Sequence, residues 1–292
     1  MNHRRPRRAP GFRARRRGQF RALCLLALLP VLARADSPRI ASLNLCTDVL
    51  LLEAAPPAST LLLTALAADP NLSPYAARAA RQARHRGLAE EILAFEPDWV
   101  VAEAGQAEAV RVRLARAGVE VLVLPSAADM TTYEKNLARV SDRLGVQRPS
   151  STAVRAATPR PRDPRPGAAS ETALMLAGNA YAPGPETLAD DLLAAAGLED
   201  ARARLGVKVG GEIPLETLVL NPPHYLVRSA AANGSVSLAE ALLTHRALRR
   251  TVGAEAVVPL PESLWICGSQ RTFEGVAVLS HARLRAGSEG AQ

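Results

Sequence analysis

Short apolar runs alternate with amphipathic segments along the first half of the chain. The apolar runs cover residues 40–43, 99–102 and 119–124, and segments with helical spacing cover residues 48–55 and 108–117. Proline, glycine and aspartate separate the two kinds of segment, as expected at the ends of strands and helices. Strands that alternate with helices predict β-α-β units that build a parallel sheet.

The second half of the chain repeats this alternation. Its predicted strands cover residues 174–177, 225–227 and 256–260, and its predicted helices cover residues 187–196 and 237–248. The fold class expected from both halves is therefore α/β, with a parallel sheet in each half.

One segment occurs in matching form in both halves. Residues 90–101 and 216–227 align without a gap at an offset of 126 residues. Each copy begins with glutamate, continues as an amphipathic helix and passes a proline-marked break into an apolar strand. We interpret this match as an internal duplication of one α/β lobe, with chance similarity between two ordinary α/β units as the alternative.

A helix and a proline-rich stretch separate the halves. Residues 129–144 have helical spacing, and residues 148–167 contain five prolines, which cannot continue a helix. We therefore expect an N-terminal lobe of residues 36–128, a connector of residues 129–167 and a C-terminal lobe of residues 168–292.

The first 35 residues predict export. Residues 1–21 contain nine arginines and no acidic residue, an apolar run of residues 22–32 follows, and Ala33-Arg34-Ala35 ends the segment. A basic region, a short apolar run and a small-x-small site together are typical of a secretory signal peptide. The apolar run is too short for a membrane span, which needs roughly twenty residues. A basic nucleic-acid-binding tail is the alternative interpretation.

The details of the leader favour ordinary Sec export to the periplasm. Phe20 lies one place too late for a twin-arginine signal, and Cys24 lies at the start of the apolar run, where a lipoprotein cysteine would follow it. Ten arginines lie before Asp36, so the formal net charge of +8 becomes −2 without the leader. The basic character belongs to the leader, and we expect no nucleic-acid partner.

Four groups of residues share one further feature: residues 39–48, 86–92 with 97–101, 184–193, and 213–216 with 237–248. Together these segments resemble the periplasmic binding proteins for cobalamin and iron-siderophores. The resemblance implies two Rossmann-like lobes joined by a linking helix, with the ligand in the cleft between them. It also implies an ABC importer with a permease in the inner membrane, and we expect a monomer. The linker departs from the family pattern, because the proline-rich stretch predicts a shortened helix.

Loops at the carboxyl ends of the strands are expected to line the cleft. A planar chelate is held by aromatic faces and a few polar groups, and Arg86 is a candidate for binding a ligand carboxylate. Trp99 and Tyr225 lie inside strand runs and are assigned to the core. The candidate cleft residues are Asn44, Leu45, Cys46, Thr47, Tyr75, Arg86, Gly105, Asn179, Tyr181, Trp265 and Cys267.

The ligand is expected to be a pre-formed cobalt or iron chelate, with no cofactor or metal held by the protein itself. His85 has no second histidine or carboxylate at metal-ligand spacing, and a bare-ion site usually needs three or four such ligands. Cys46 and Cys267 are expected to be two free, partly buried thiols. A disulfide between them is the alternative.

Enzyme motifs are missing from the sequence. There is no G-x-S-x-G elbow and no Walker A loop, and the first strand leads into Asn44-Leu45-Cys46 and not into G-x-G-x-x-G. A Cys46 nucleophile with His85 is the form that a thiol enzyme would take, and a sensor or scaffold on the same fold is a third class. A non-enzymatic binding protein is the function we expect.

The resemblance also implies a permease-docking glutamate in each lobe. The equivalent positions of the repeat are Glu90 and Glu216, each in the first turn of its predicted helix. A carboxylate there is also favoured by the helix dipole alone. Glu91 is the rival in lobe one, but its counterpart in lobe two is Thr217.

Overall fold

Two parallel sheets organise the described part of the chain. The computed structural model describes residues 37–147, 171–230 and 245–289. Three predicted features fall wholly or partly outside these ranges: the signal peptide, the proline-rich connector and the helix at residues 237–248. Within the described ranges, no helix combines the length and apolar character needed to cross a membrane.

Lobe one is built on a five-stranded sheet. Its strands are β1 (Arg39–Ser42), β2 (Thr60–Thr64), β3 (Ala83–His85), β4 (Trp99–Glu103) and β5 (Val121–Leu124). Their order across the sheet is β3-β2-β1-β4-β5, and all neighbouring pairs are parallel. Strand β4 is buried along its whole length, because helices cover both faces of a parallel sheet.

Helices cover both faces of this sheet. They are α1 (Leu45–Ala54), α2 (Ala76–Ala79), α3 (Ala89–Ala94), α4 (Glu108–Arg116) and α5 (Met130–Leu144). Ile40 of β1 packs with α1 and α5, whereas the next residue, Ala41, packs with α3 and α4. Successive strand residues point to opposite faces, so the two side chains belong to separate layers of the core.

Helix α5 begins and ends close to the predicted residues. Asp129 caps it by accepting a hydrogen bond from Thr132 N at 2.7 Å, and Gly145 ends it with a φ of 67°. Tyr133, Leu137 and Val140 are buried in the core of lobe one. Burying an apolar side chain of this size contributes about 1.5–3 kcal/mol. The helix that was expected to join the lobes is therefore part of the core of lobe one.

Lobe two contains a four-stranded parallel sheet and a separate antiparallel pair. The strands are β6 (Thr172–Leu176), β7 (Tyr181–Ala182), β8 (Glu199–Asp200), β9 (Gly211–Glu212), β10 (Tyr225–Ala230) and β11 (Val257–Pro261). The parallel sheet has the order β11-β10-β6-β8, and β7 pairs with β9.

The helices of lobe two also divide between the faces of its sheet. They are α6 (Leu188–Ala195), α7 (Leu215–Leu220), α8 (Arg246–Thr251) and α9 (Thr272–Glu289). Residues of α6 and α9 pack on one face, and residues of α7 and α8 pack on the other. The predicted fold class, two α/β lobes with parallel sheets, is confirmed.

The repeat predicted from the sequence appears as equivalent elements of the two lobes. Helices α3 and α7 are related by the same offset of 126 residues. Each leads into a strand that pairs with the first strand of its lobe, β4 with β1 and β10 with β6. Trp99 and Tyr225, which begin these two strands, are each 3% exposed and belong to the core as expected.

Candidate functional site

The loop after β1 is held by its own side chains. Asn44 caps α1 by accepting a hydrogen bond from Thr47 N at 3.3 Å, and the Thr47 hydroxyl lies 2.7 Å from that of Ser42. Thr47 is fully buried. An asparagine cap of this kind stabilises a helix by about 1 kcal/mol. It also explains why α1 begins at Leu45, three residues before the predicted start.

Glu103, at the end of β4, connects the loops at the carboxyl edge of the first sheet. Its buried carboxylate accepts hydrogen bonds from the side-chain amide of Asn44 and from Ala127 N. Gly105 follows in an exposed turn with a φ of 77°. Chain connections diverge between β1 and β4, which is the place where open α/β sheets bind ligands. The sequence places Glu103 in the loop that follows the apolar run of residues 99–102, but Glu103 was not among the candidate cleft residues.

Tyr75 contacts the start of α1 but turns its hydroxyl toward a buried carboxylate. It packs on a small cluster that includes Leu45 and Cys46, and its hydroxyl donates to Glu53 Oε1 at 2.5 Å. Burial, followed by the charge of Glu53, raises the pKa of the Tyr75 phenol well above its usual range. Tyr75 therefore remains a neutral hydrogen-bond donor at the junction of the lobes.

Glu53 accepts hydrogen bonds from both lobes. Tyr133 OH donates to its Oε2 at 2.5 Å, and Gln270 N, from lobe two, donates to its Oε1 at 2.8 Å. Burial raises the pKa of the Glu53 carboxyl, and the hydrogen bonds from Tyr133, Tyr75 and Gln270 partly offset that rise. Glu53 lies in the last turn of a helix with no neighbouring motif, so the sequence did not identify it.

The two cysteines form a disulfide between the lobes. Cys46 and Cys267 are bonded, with their Cα atoms 5.1 Å apart, although they are 221 positions apart in sequence. The prediction of two free thiols is therefore wrong. The capped start of α1 and the loop after β11 lie against each other, well inside the limit of about 7 Å for a disulfide. His85 contacts the backbone of Ser42 and Gly87, and a bridged Cys46 is not a thiolate nucleophile.

Lobe two presents one predicted aromatic residue to solvent and buries the other. Tyr181 is 45% exposed, and its hydroxyl lies so close to Gly210 that a Cβ there would meet it at 2.6 Å. Trp265 is 8% exposed within the core of lobe two, and its indole N–H has no hydrogen-bond partner among the described residues. Asn179 lies in the short turn before β7.

The remaining predicted residues lie on the surface of the lobes. Arg86 is exposed, and its backbone N–H donates to Glu91 Oε2 at 2.7 Å. Glu90 forms an exposed ion pair with Arg113 at 2.6 Å. Glu216 is exposed in the first turn of α7. The structure thus brings Leu45, Cys46, Tyr75 and Cys267 together at the lobe junction, while Arg86 and Tyr181 remain exposed.

Metal-ligating side chains do not cluster in the described ranges. No group of three or more histidine, cysteine, aspartate or glutamate residues there could hold a metal ion.

Comparison with solved structures matches nearly the whole chain to periplasmic binding proteins. A periplasmic heme-binding protein from Pseudomonas aeruginosa is 22% identical, with a TM-score of 0.62, over 84% of this chain and 91% of its own. The periplasmic vitamin B12-binding protein of Vibrio cholerae is 13% identical, with a TM-score of 0.54, over 85% and 96%. A Staphylococcus aureus protein with bound ferrioxamine B is 11% identical, with a TM-score of 0.59, over 84% and 99%.

Sequence comparisons alone do not detect this relationship. No protein-family model matches the chain, and no curated protein is similar to it in sequence. The resemblance inferred from short segments is confirmed at the level of the fold, because the structural matches span both lobes. The chain therefore has the fold of the periplasmic proteins that bind heme, vitamin B12 and siderophores.

Proposed function

We propose that the chain is the periplasmic solute-binding component of an ABC importer. It captures a metal-chelate nutrient, either a cobalamin, a heme or a ferric siderophore, and delivers it to a permease in the inner membrane. The observation that carries this proposal is the match of both lobes, over 84–85% of the chain, to periplasmic heme- and vitamin B12-binding proteins and to a protein with bound ferrioxamine B. The export signal expected in the first 35 residues supports the periplasmic location.

The carboxyl edges of the two sheets supply groups suited to such a ligand. Tyr181 offers an exposed aromatic face on lobe two. On lobe one, the turn at Gly105 has open space beside it, because a Cβ at this position would meet no atom within 4 Å. The hydrogen bond from the Asn44 side chain to Glu103 holds the loop after β1 against the end of β4. A site that is organised in advance loses less entropy on binding. A sensor on the same fold would bind the same ligands but would not need permease-docking residues.

A thermal-shift screen tests the proposed ligand class. We expect one member of a panel of corrinoids, heme and ferric siderophores to stabilise the protein, and metal-free siderophores to do so less. Ligand at about 100 times its Kd adds roughly 2.7 kcal/mol, or a rise of about 5–10 °C in Tm for a chain of this size.

Two variants make the screen specific for the cleft. Tyr181→Ala is expected to reduce the shift by removing the exposed aromatic face, whereas Leu220→Ala, which removes another exposed apolar side chain from lobe two, is expected to leave it unchanged. If no chelate in the panel shifts Tm, the proposed ligand class is wrong.

We also propose that Glu90 and Glu216 dock onto cationic side chains of the permease. Both glutamates are exposed, and both occupy the second residue of helices related by the 126-residue offset. A carboxylate in the first turn is favoured by the helix dipole. Two equivalent carboxylates, one on each lobe, match a pseudo-symmetric partner with two cationic pockets, where carboxylate–arginine pairs can be bidentate.

A further inference from the structure

The segment after β11 crosses from lobe two onto lobe one. Residues 265–271, which we call the clamp, begin in the core of lobe two at Trp265. At Cys267 the clamp is covalently bonded to Cys46, in the first turn of α1 in lobe one. Cys267 is 1% exposed and packs with Leu45 and Val49. The Cys267 half of the bond is therefore buried among apolar side chains of lobe one, whereas Cys46 is partly exposed.

Two hydrogen bonds continue the contact beyond the disulfide. Gln270 N donates to Glu53 Oε1 at 2.8 Å, and the Arg271 guanidinium donates to the carbonyl of Pro74 at 2.7 Å. Glu53 is itself held by the hydroxyls of Tyr75 and Tyr133. Losing the Gln270 N–H would leave the buried Oε1 of Glu53 with the Tyr75 hydroxyl alone, and a buried acceptor that loses a donor is destabilised.

Gly268 lets the clamp lie directly on an aromatic ring of lobe one. A Cβ at this position would meet Cβ, Cγ and Cδ2 of Tyr133 at 2.5, 2.7 and 3.0 Å. Tyr133 is fully buried in the core of lobe one, on α5. Its ring therefore has no room to move aside, and even alanine at position 268 would force the two lobes apart locally.

A second contact ties the start of α5 to lobe two. Met130 N donates to Asp191 Oδ2 at 2.7 Å, and Asp191 lies in the first turn of α6. The two ends of the junction thus use different chemistry, a single hydrogen bond at α5 and a covalent bond with close packing at the clamp.

We propose that the clamp is a fixed edge between the lobes, about which any ligand-linked motion must turn. Cys46, Tyr75 and Cys267 then serve to hold the lobes together and do not exchange with ligand, which enters and leaves along the rest of the cleft. A dithiol reductant releases the covalent part, because two electrons and two protons pass to the bridge, leaving two cysteine thiols and an oxidised reductant. The hydrogen bonds and the Gly268 contact remain.

Hydrogen exchange and calorimetry test the clamp on the full-length mature protein without any ligand. We expect the oxidised protein to unfold in one calorimetric transition and to protect the amides of residues 265–271. Reduction of the native protein by a dithiol, without denaturant, is expected to accelerate exchange in this segment at least tenfold and to separate the unfolding of the lobes into two transitions. The Cys46→Ser, Cys267→Ser double variant should behave as the reduced protein does.

A pair of glycine variants separates close packing from covalent bonding. Gly268→Ala is expected to accelerate exchange in residues 265–271 about tenfold with the disulfide intact. Gly211→Ala is the matched control, because a Cβ there meets no atom within 4 Å, and it should leave exchange unchanged. If the reduced protein still unfolds in one calorimetric transition and the amides of residues 265–271 exchange at an unchanged rate, the proposal that the clamp holds the lobes together is refuted. Because no ligand or permease is used, that result would leave the proposed transport function standing.

Discussion

Replacing both Glu90 and Glu216 with alanine is expected to stop ligand uptake in cells while leaving ligand affinity near that of the unaltered protein. Both side chains are exposed on α3 and α7, so their removal does not disturb a core. A hydrogen bond to a charged group contributes about 1.5–3 kcal/mol. Losing one such contact per lobe should weaken docking by about a hundredfold or more. Uptake of labelled ligand and binding to permease in nanodiscs measure the two quantities.

Two further variants control for charge and for the ion pair on lobe one. Glu120→Ala with Glu199→Ala removes one exposed glutamate from each lobe, each paired with an arginine of its own lobe, and should leave uptake intact. Arg113→Ala frees Glu90 from its own ion pair. Exposed ion pairs contribute about 0–1 kcal/mol, so this change should leave docking equal or a few-fold tighter. Full transport by the Glu90, Glu216 double variant would contradict the docking assignment.

The elements that the sequence predicted well are those with long or periodic apolar patterns. Strand β4 is buried on both faces, and its residues 99–102 form a continuous apolar run in the sequence. Helix α5 places buried residues at helical spacing between a capping aspartate and a terminal glycine. The repeat of α3 and α7 was visible because both copies keep the same glutamate, proline and strand without an insertion.

The elements that the sequence pattern did not reveal have weak local signals. Strand β3 has only one buried residue among three, so it has no apolar run. Strand β2 has an apolar run, Leu61 to Leu63, but it was missed because it leads directly into the alanine-rich turn Ala65–Ala68 and its end is not marked in the sequence. Helix α9 contains Gly275, which ordinarily lowers helix propensity. Here its missing side chain lets the helix approach Leu192, because a Cβ would lie 3.1 Å from that leucine.

The contacts at the lobe junction were hard to predict because they join distant residues, and the Cys46–Cys267 disulfide was considered only as the alternative to two free thiols. Cys46 and Cys267 are 221 positions apart in sequence, and no spacing rule brings them together. The Glu53 carboxylate accepts hydrogen bonds from Tyr75, Tyr133 and Gln270. None of these three residues lies near it in sequence. The loops after the strands were expected to line a cleft, and the structure places Leu45, Cys46, Tyr75 and Cys267 of that set at the junction of the lobes. Their position in the sequence did not indicate that these side chains contact the other lobe.

Asp48→Asn is expected to remove a large pH dependence from the stability of the protein. Asp48 is fully buried in α1, where it accepts hydrogen bonds from Thr64 N at 3.1 Å and from Thr64 Oγ1 at 2.5 Å. Burial raises the pKa of its carboxyl from 3.8 to about 7, and hydrogen bonds from Thr64 and Ser42 only partly offset that rise. The protonated form is therefore favoured in the folded protein.

The raised pKa decides whether the contribution of Asp48 to stability increases or decreases with pH. The folded protein holds this proton more tightly than the unfolded chain does, so the contribution of Asp48 is full below pH 3.8 and is lost as the pH rises to about 7. At 1.36 kcal/mol per pKa unit, that loss is on the order of 4 kcal/mol. Asparagine keeps an oxygen that can accept from Thr64 N but carries no charge at any of these pH values.

Urea denaturation of both proteins between pH 4 and pH 7.5 measures this effect directly. We expect the free energy of unfolding of Asp48→Asn, relative to the unaltered protein, to increase by on the order of 4 kcal/mol across that range. Asp142→Asn, an exposed carboxylate on α5, is the matched control and should give a difference that varies little with pH. A difference for Asp48→Asn that is equally flat would show that burial of this carboxyl is not what sets the pH dependence.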